Sequence, residues 1–184
     1  MTAFYLTMID EPSDKEKFSL IYNSYKDMMY RKAMSITKNN ALAEEVVQES
    51  LLKIAKNITK IGDPTCRKSI SFIVIIVKNT SLDKIKVEHS ERMDYSSNVD
   101  DVLDLSIDTI QKIISDSGYE QLINAISGLK EIYSSVLKLK FVHEYSNDEI
   151  AELLNIEKRT VEQRVLRGKK LLLKKLEEDN YAIK

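Results

Sequence analysis

A chain of 184 residues with only 4 Gly and 2 Pro has almost nothing with which to punctuate sheets and hairpins. Tight β-turns draw on glycine for positive φ, and clusters of glycine and proline bound the strands of sandwiches and barrels. An all-β fold is therefore not expected, and long helices joined by short polar turns are. Hydrophobic residues make up 43% and charged residues 31%, too much of each for a disordered or membrane-embedded chain. The length suits one ordinary domain or two small ones.

Several chemistries drop out early. The single cysteine, Cys66, excludes an internal disulfide framework and a multi-cysteine zinc site, and it reads as a small loop filler rather than a redox sensor. His89 and His143 lie far apart without ligand types at metal spacing and read as surface residues, so neither a metal nor another cofactor is expected. The apolar run Phe4 to Ile9 has no basic leader and is followed by Asp10 and Glu11, so it does not read as a secretory signal. The longest apolar run, Ile70 to Val77, is much too short to span a bilayer as a helix. A soluble cytoplasmic protein without membrane insertion is the expectation.

Near-neutral net charge conceals a three-part pattern. Between Lys53 and Arg92, nine basic residues (Lys53, Lys56, Lys60, Arg67, Lys68, Lys78, Lys84, Lys86, Arg92) face four acidic ones. From Asp94 to Glu120 the pattern inverts, and Lys112 alone opposes the acids. From Lys158 to Lys175, eight basic residues accompany one acid, Glu162. Two basic segments around an acidic one fit two sites for a polyanion, although solvated helix faces give the same pattern.

Helical spacing dominates the rest. Phe18, Ile21, Tyr22, Tyr25, Met28, Met29, Ala33 and Ile36 form one stripe, which Asn39 and Asn40 are expected to break. A second helix is expected over Ala41 to Ile58, with Leu42, Val46, Leu51 (or Ser50) and Ile54 inward and Glu44, Glu45, Gln48 and Glu49 outward. Gly62, Asp63 and Pro64 make a loop, and Pro64 is placed at the first position of the next helix. Ile70 to Val77 reads as a buried strand on propensity. No second strand exists to pair with it, so a buried helix is preferred. Glu91 to Asp116 reads as an acidic linker with a short helical piece, and Ser117 with Glu120 has capping-box spacing for a helix through Leu122, Ile126 and Leu129. Most of the 9 tyrosines lie at core spacing.

The C-terminal residues are the most specific. Ser146-Asn147-Asp148-Glu149 is a second capping box, opening a short helix to about Leu154 with Ile150 and Leu154 inward and Ala151 at a close approach. Asn155 can take positive φ at a sharp turn and Ile156 plugs the corner. A final helix from Lys158 would bury Val161, Val165, Gly168 and Leu172 and turn Arg159, Glu162, Gln163, Leu166, Arg167 and Lys170 outward. Short helix, tight turn, basic second helix: this is a helix-turn-helix, whose second helix enters the major groove of DNA. Lys169, Lys170, Lys174 and Lys175, later in that helix, are expected to meet backbone phosphates.

Three stretches together resemble a bacterial RNA polymerase sigma factor of the extracytoplasmic-function type over about Lys15 to Glu178. Ala43-Glu44-Glu45-Val46-Val47-Gln48-Glu49-Ser50-Leu51 is similar to the region-two helix that docks on the polymerase clamp. Lys78-Asn79-Thr80-Ser81-Leu82-Asp83-Lys84 is similar to the segment facing the -10 element, and Ser146 to Lys170 to the region-four helix-turn-helix for the -35 element. Phe72 stands where a tryptophan is frequent, and Glu162 where a basic residue is common early in the recognition helix. No long autoinhibitory segment is expected ahead of Lys15.

The resemblance implies an all-α protein of two small helical domains: 1–90 for polymerase and -10 binding, a linker over 91–116, and 117–184 for the -35 element. It implies that Ile70 to Val77 is helical. Polymerase contact would fall to Glu44, Glu45, Gln48 and Glu49. The loop from Ile58 to Lys68 would pocket a flipped base, and Lys60, Asp63, Arg67, Phe72, Lys78, Asn79, Asp83, Lys84 and Lys86 would hold the -10 strand. The -35 element would meet Ser146, Arg159, Thr160, Glu162, Gln163, Arg164, Leu166, Arg167 and Lys170. Partners are then core RNA polymerase, promoter DNA and an anti-sigma factor, with no small-molecule substrate, no catalysis by the chain itself, and a monomer when free. The alternative is a free-standing dimeric helix-turn-helix regulator; a metal-dependent nuclease lacks a ligand cluster.

Overall fold

In the computed structural model, residues 2–88 and 119–178 are described, and every regular element among them is helical. The chain divides into two compact units, Met1–Tyr95 and Ser96–Lys184. Within the first lie α1 (Thr2–Leu6), α2 (Pro12–Thr37), α3 (Asn40–Lys56), a 3-10 turn (Ile58–Lys60) and α4 (Arg67–Glu88). The second holds α5 (Tyr119–Ser127), α6 (Glu131–Phe141), α7 (Asn147–Leu154) and α8 (Lys158–Glu178).

The stripe on α2 buries Phe18, Ile21, Met29 and Ala33, with Tyr22, Tyr25, Met28 and Ile36 half-buried at its edges. Proline opens the helix at Pro12, where the missing N–H costs nothing. Its end falls where the asparagines indicated, but by different chemistry. Lys38 takes the left-handed conformation (φ 56°), and its N–H donates to the Met34 carbonyl. Asn39 is extended instead, and its side chain accepts the Leu42 N–H at 3.1 Å to cap α3. On α3, Ala43, Val46, Val47, Ser50, Leu51, Ile54 and Ala55 are buried, a wider stripe than the spacing gave, while Leu42 is only half-buried.

Ile70 to Val77 lies inside the 22-residue helix α4. Phe72, Ile73, Ile75, Ile76 and Val77 are all buried there, and α4 packs on both α2 and α3. Burial against two neighbours outweighs a β-branched propensity deficit of about 0.5 kcal/mol per residue. The strand reading fails for that reason. Pro64 does not open α4; the helix begins three residues later, at Arg67. Pro64 stays in the loop, where its carbonyl accepts the Tyr25 hydroxyl at 3.0 Å.

In the second unit, Leu122, Ala125, Ile126, Leu137, Leu172 and Leu176 form one core, flanked by Leu129 and Phe141. The expected cap at Ser117 and the linker over 91–116 fall outside the described residues. Gly168 is a contact requirement: a Cβ there would stand 3.0–3.3 Å from the side-chain carbons of Leu137. Gly62 is the opposite case, with nothing within 4 Å of an added Cβ. Gly168→Val should therefore lower stability by about 1–3 kcal/mol through overpacking. Gly62→Ala should change it by well under ~1 kcal/mol. Urea denaturation followed by helix content measures both, and equal midpoints for the two variants would contradict the close α6–α8 approach.

Candidate nucleic-acid interface

The helix-turn-helix is assembled from local chemistry. Glu144 turns the chain into it with a left-handed φ of 61°, and Tyr145 is buried, which pushes its hydroxyl pKa well above the ordinary value. Ser146 caps α7: its Oγ accepts the Glu149 N–H at 3.3 Å, and the Glu149 carboxylate accepts the Ser146 N–H at 2.8 Å. Asn155 ends the helix in the left-handed conformation (φ 52°, ψ 50°). The Ile156 N–H then donates to the Ala151 carbonyl at 3.0 Å, with Ile156 half-buried at the corner. Lys158 reaches back to Asp148 at 2.9 Å, a contact that raises its pKa and joins the starts of α7 and α8.

Burial of Ile150, Leu153 and Leu154 fixes the rotation of α7, and burial of Val161, Gly168 and Leu172 that of α8, with Val165 half-buried. Ser146, Arg159 and Glu162 are exposed, whereas Thr160, Gln163, Arg164, Leu166, Arg167 and Lys170 are half-buried. The basic tail of α8 needs correction. Lys169 is turned inward (9% exposed), its Nζ 5.5 Å from the centre of the Phe141 ring, so it is a packing group rather than a phosphate contact. Lys175 is half-buried with its Nζ against Gly128, while Lys174 stays exposed. His143 is half-buried rather than a surface residue, and His89 lies outside the described residues.

In the first unit, Glu44, Glu45 and Gln48 are exposed along α3 and Glu49 is half-buried beside them. Lys60, Asp63, Arg67 and Lys86 are exposed. Lys78, Asn79, Asp83 and Lys84 are half-buried along α4, where the Asn79 Nδ2 donates to the Ile75 carbonyl at 2.8 Å. Phe72 is 2% exposed, so its ring belongs to the core and has no surface to offer a DNA strand; that expectation is corrected. Asp63 organises its own loop. Its carboxylate accepts the Thr65 N–H at 2.8 Å and the Thr65 hydroxyl at 2.7 Å, and these bonds hold its pKa below the ordinary range.

Helical rotation divides the α4 set. Asn79, Asp83 and Lys86 share one row, while Lys84 lies about 140° round from Asn79. The ammonium of Lys84 sits 3.3 Å from Glu45 and 3.4 Å from Glu49 of α3. Desolvation alone would lower the Lys84 pKa, but the two carboxylates reverse this and raise it. Lys53 extends the cluster, 3.3 Å from both Glu49 and the Thr80 hydroxyl. Sequence reasoning placed Lys84 with the strand-holding residues and left Lys53 unassigned. Carboxylate partners 35 or more positions away leave no local pattern, although the rotation of Lys84 away from Asn79 was available from helix geometry. Among the described residues, no His, Cys, Asp and Glu group could hold a metal ion, and no helix is long and apolar enough to cross a membrane.

Family models match both units. Residues 21–90 match Sigma-70 region 2, and residues 119–172 match Sigma-70, region 4. The "ECF RNA polymerase sigma factor SigW" of Bacillus subtilis (strain 168) is 28% identical over 174 residues, covering 89% of this chain and 90% of the relative. The "RNA polymerase sigma factor SigV" of the same organism is 26% identical over 159 residues, covering 86% and 90% respectively.

Cys66 stands at the N-terminus of α4, in the loop expected to receive a base. Its sulfur lies 3.3 Å from the Ser69 hydroxyl and accepts the Ser69 N–H at 3.4 Å, and Ser69 through both groups lowers the thiol pKa. A thiolate forming there draws the Ser69 proton, which now goes to the Asp63 carbonyl at 2.7 Å. The rate of iodoacetamide alkylation, followed against pH, should rise with a midpoint below that of a free cysteine treated alongside. Ser69→Ala should move that midpoint upward and slow the reaction at neutral pH. An unchanged profile would mean that Ser69 does not stabilise the thiolate.

Proposed function

The chain belongs to the sigma-70 family, in its extracytoplasmic-function form, and on that premise we propose how its two units divide promoter recognition by RNA polymerase. Residues 1–90 dock on core polymerase and hold the -10 strand, 117–184 read the -35 duplex, and 91–116 connect them. The observation that carries the reading is the capped helix, left-handed Asn155 turn and outward Arg159 and Glu162 of α7 and α8. This is the geometry that presents side chains to a major groove.

On α3, the row of Glu44, Glu45, Gln48 and Glu49 grips the polymerase. On α4, Asn79, Asp83 and Lys86 form the row along the -10 strand, with Lys60, Arg67 and Lys78 supplying charge. The loop through Asp63 shapes the pocket for an unstacked base, whose extraction costs a few kcal/mol. Lys84 joins the strand-holding and docking groups. The α8 surface, with Arg159, Thr160, Glu162, Gln163, Arg164, Leu166, Arg167 and Lys170, reads the -35 element, Ser146 sitting at the α7 N-terminus toward the backbone. Free of partners the chain is a monomer, and an anti-sigma factor is the partner that would hold it idle.

Docking is tested by charge reversal. Glu45→Lys with Gln48→Lys should abolish binding to purified core polymerase at unchanged helix content, since reversal at a complementary interface costs several kcal/mol. Unchanged binding by the double variant would refute the assignment of α3.

Sequence choice is tested on α8 with a promoter library. Lys174→Ala should weaken all promoters about equally and reduce the salt dependence by roughly one phosphate's worth at most. Glu162→Arg should change the preferred -35 sequence, with a swing of about 1–3 kcal/mol between bases at one position. A uniform shift by Glu162→Arg would mean that this residue reads no base.

A further inference from the structure

The short N-terminal helix α1 is anchored on the face of α3 that carries the acidic row. Tyr5 is 6% exposed, packs on Phe18 with ring centres 5.5 Å apart, and donates its hydroxyl to the Gln48 carbonyl at 3.4 Å. Phe4 stacks edge-on against Tyr5, with ring centres 5.7 Å apart, yet remains 64% exposed. Of the large apolar side chains left exposed among the described residues, it is the most open. A groove of about 420 Å³ runs beside it, lined by Phe4, Tyr5, Leu52, Glu45, Gln48, Glu49 and Lys84.

We propose that α1 is part of the docking surface, and that Phe4 packs against a cationic, amphipathic helix of core RNA polymerase lying in this groove. The inference rests on the α3 docking reading and extends it to a segment outside the matched region, which begins at residue 21. Two features choose the occupant. One wall is apolar, from Phe4 and Leu52. The other offers Glu45 and Glu49, whose side chains are 60% and 37% exposed although both already meet Lys84. A helix with aliphatic groups on one edge and arginine or lysine on the next satisfies both walls. Phe4, the aromatic member of the apolar wall, is the residue type that carries binding energy disproportionately.

The test uses the full chain and purified core polymerase. Phe4→Ser should weaken binding about tenfold, the loss expected for truncating an aromatic anchor. Phe4→Leu should restore part of it, because apolar area returns without the ring. Benzoylphenylalanine placed at position 4 should photo-crosslink to a core subunit, and adding Glu45→Lys and Gln48→Lys should remove that crosslink. Wild-type affinity for Phe4→Ser, or no crosslink from folded protein, overturns the role of α1 while leaving the α3 assignment intact if the charge-reversed variant still fails to bind. Wild-type binding by the charge-reversed variant as well would instead bring down the docking reading itself.

Discussion

Burial of the β-branched band in α4 sets the geometry of the first unit. Ile73, Ile75, Ile76 and Val77 are removed from water against α2 and α3, and no other rotation of α4 about its axis would hide them. Rotation fixed by burial is what aims the polar residues further along the same helix. Asn79, Asp83 and Lys86 fall on one row, and Lys84 is carried round to α3. A helix with a narrower apolar stripe could roll by a residue or two and exchange those rows. This one cannot, so a hydrophobic constraint decides which charges stand together.

The second unit reaches the same end through its caps. α7 has only 8 residues, too few to persist alone, and its ends are closed by the Ser146–Glu149 box and by left-handed Asn155. Those two devices hold the angle at which α8 leaves the corner, while Leu137 against Gly168 sets how near α8 comes to α6. Three non-glycine residues in the described segments adopt positive φ, Lys38, Glu144 and Asn155, and each stands at the boundary of a helix. With so few glycines available, the chain makes its corners from ordinary residues, each at a cost of about 1 kcal/mol.

Much of this was legible in sequence. Periodicity located the faces of α2 and α3, and the C-terminal capping box, the Asn155 turn and inward Val161 stand where residue chemistry put them. The helix preferred over a strand at Ile70 to Val77 is the one that forms, although propensity alone contains no information on what packs against it. What failed had a common cause: local signals were read without their tertiary partners. Phe72 and Lys169 looked available for DNA because side-chain type does not reveal a core position or a neighbouring ring. Pro64 misled in another way, being recruited by Tyr25 into the loop instead of opening a helix. The α1 helix carried no sequence signal beyond a short apolar run, because its placement depends on Phe18 and Gln48 in distant parts of the chain.

The cluster around Lys84 makes the two faces of the first unit thermodynamically dependent on one another. One ammonium cannot be held by Glu45 and Glu49 and at the same time be fully available to a phosphate. Any cation that engages those carboxylates from outside loosens their hold on Lys84, and any anion that draws Lys84 away leaves the carboxylates more strongly attractive to a cation. Linkage requires the two effects to be equal in free energy. A ligand on either face would therefore be felt at the other through one side chain shared between α3 and α4.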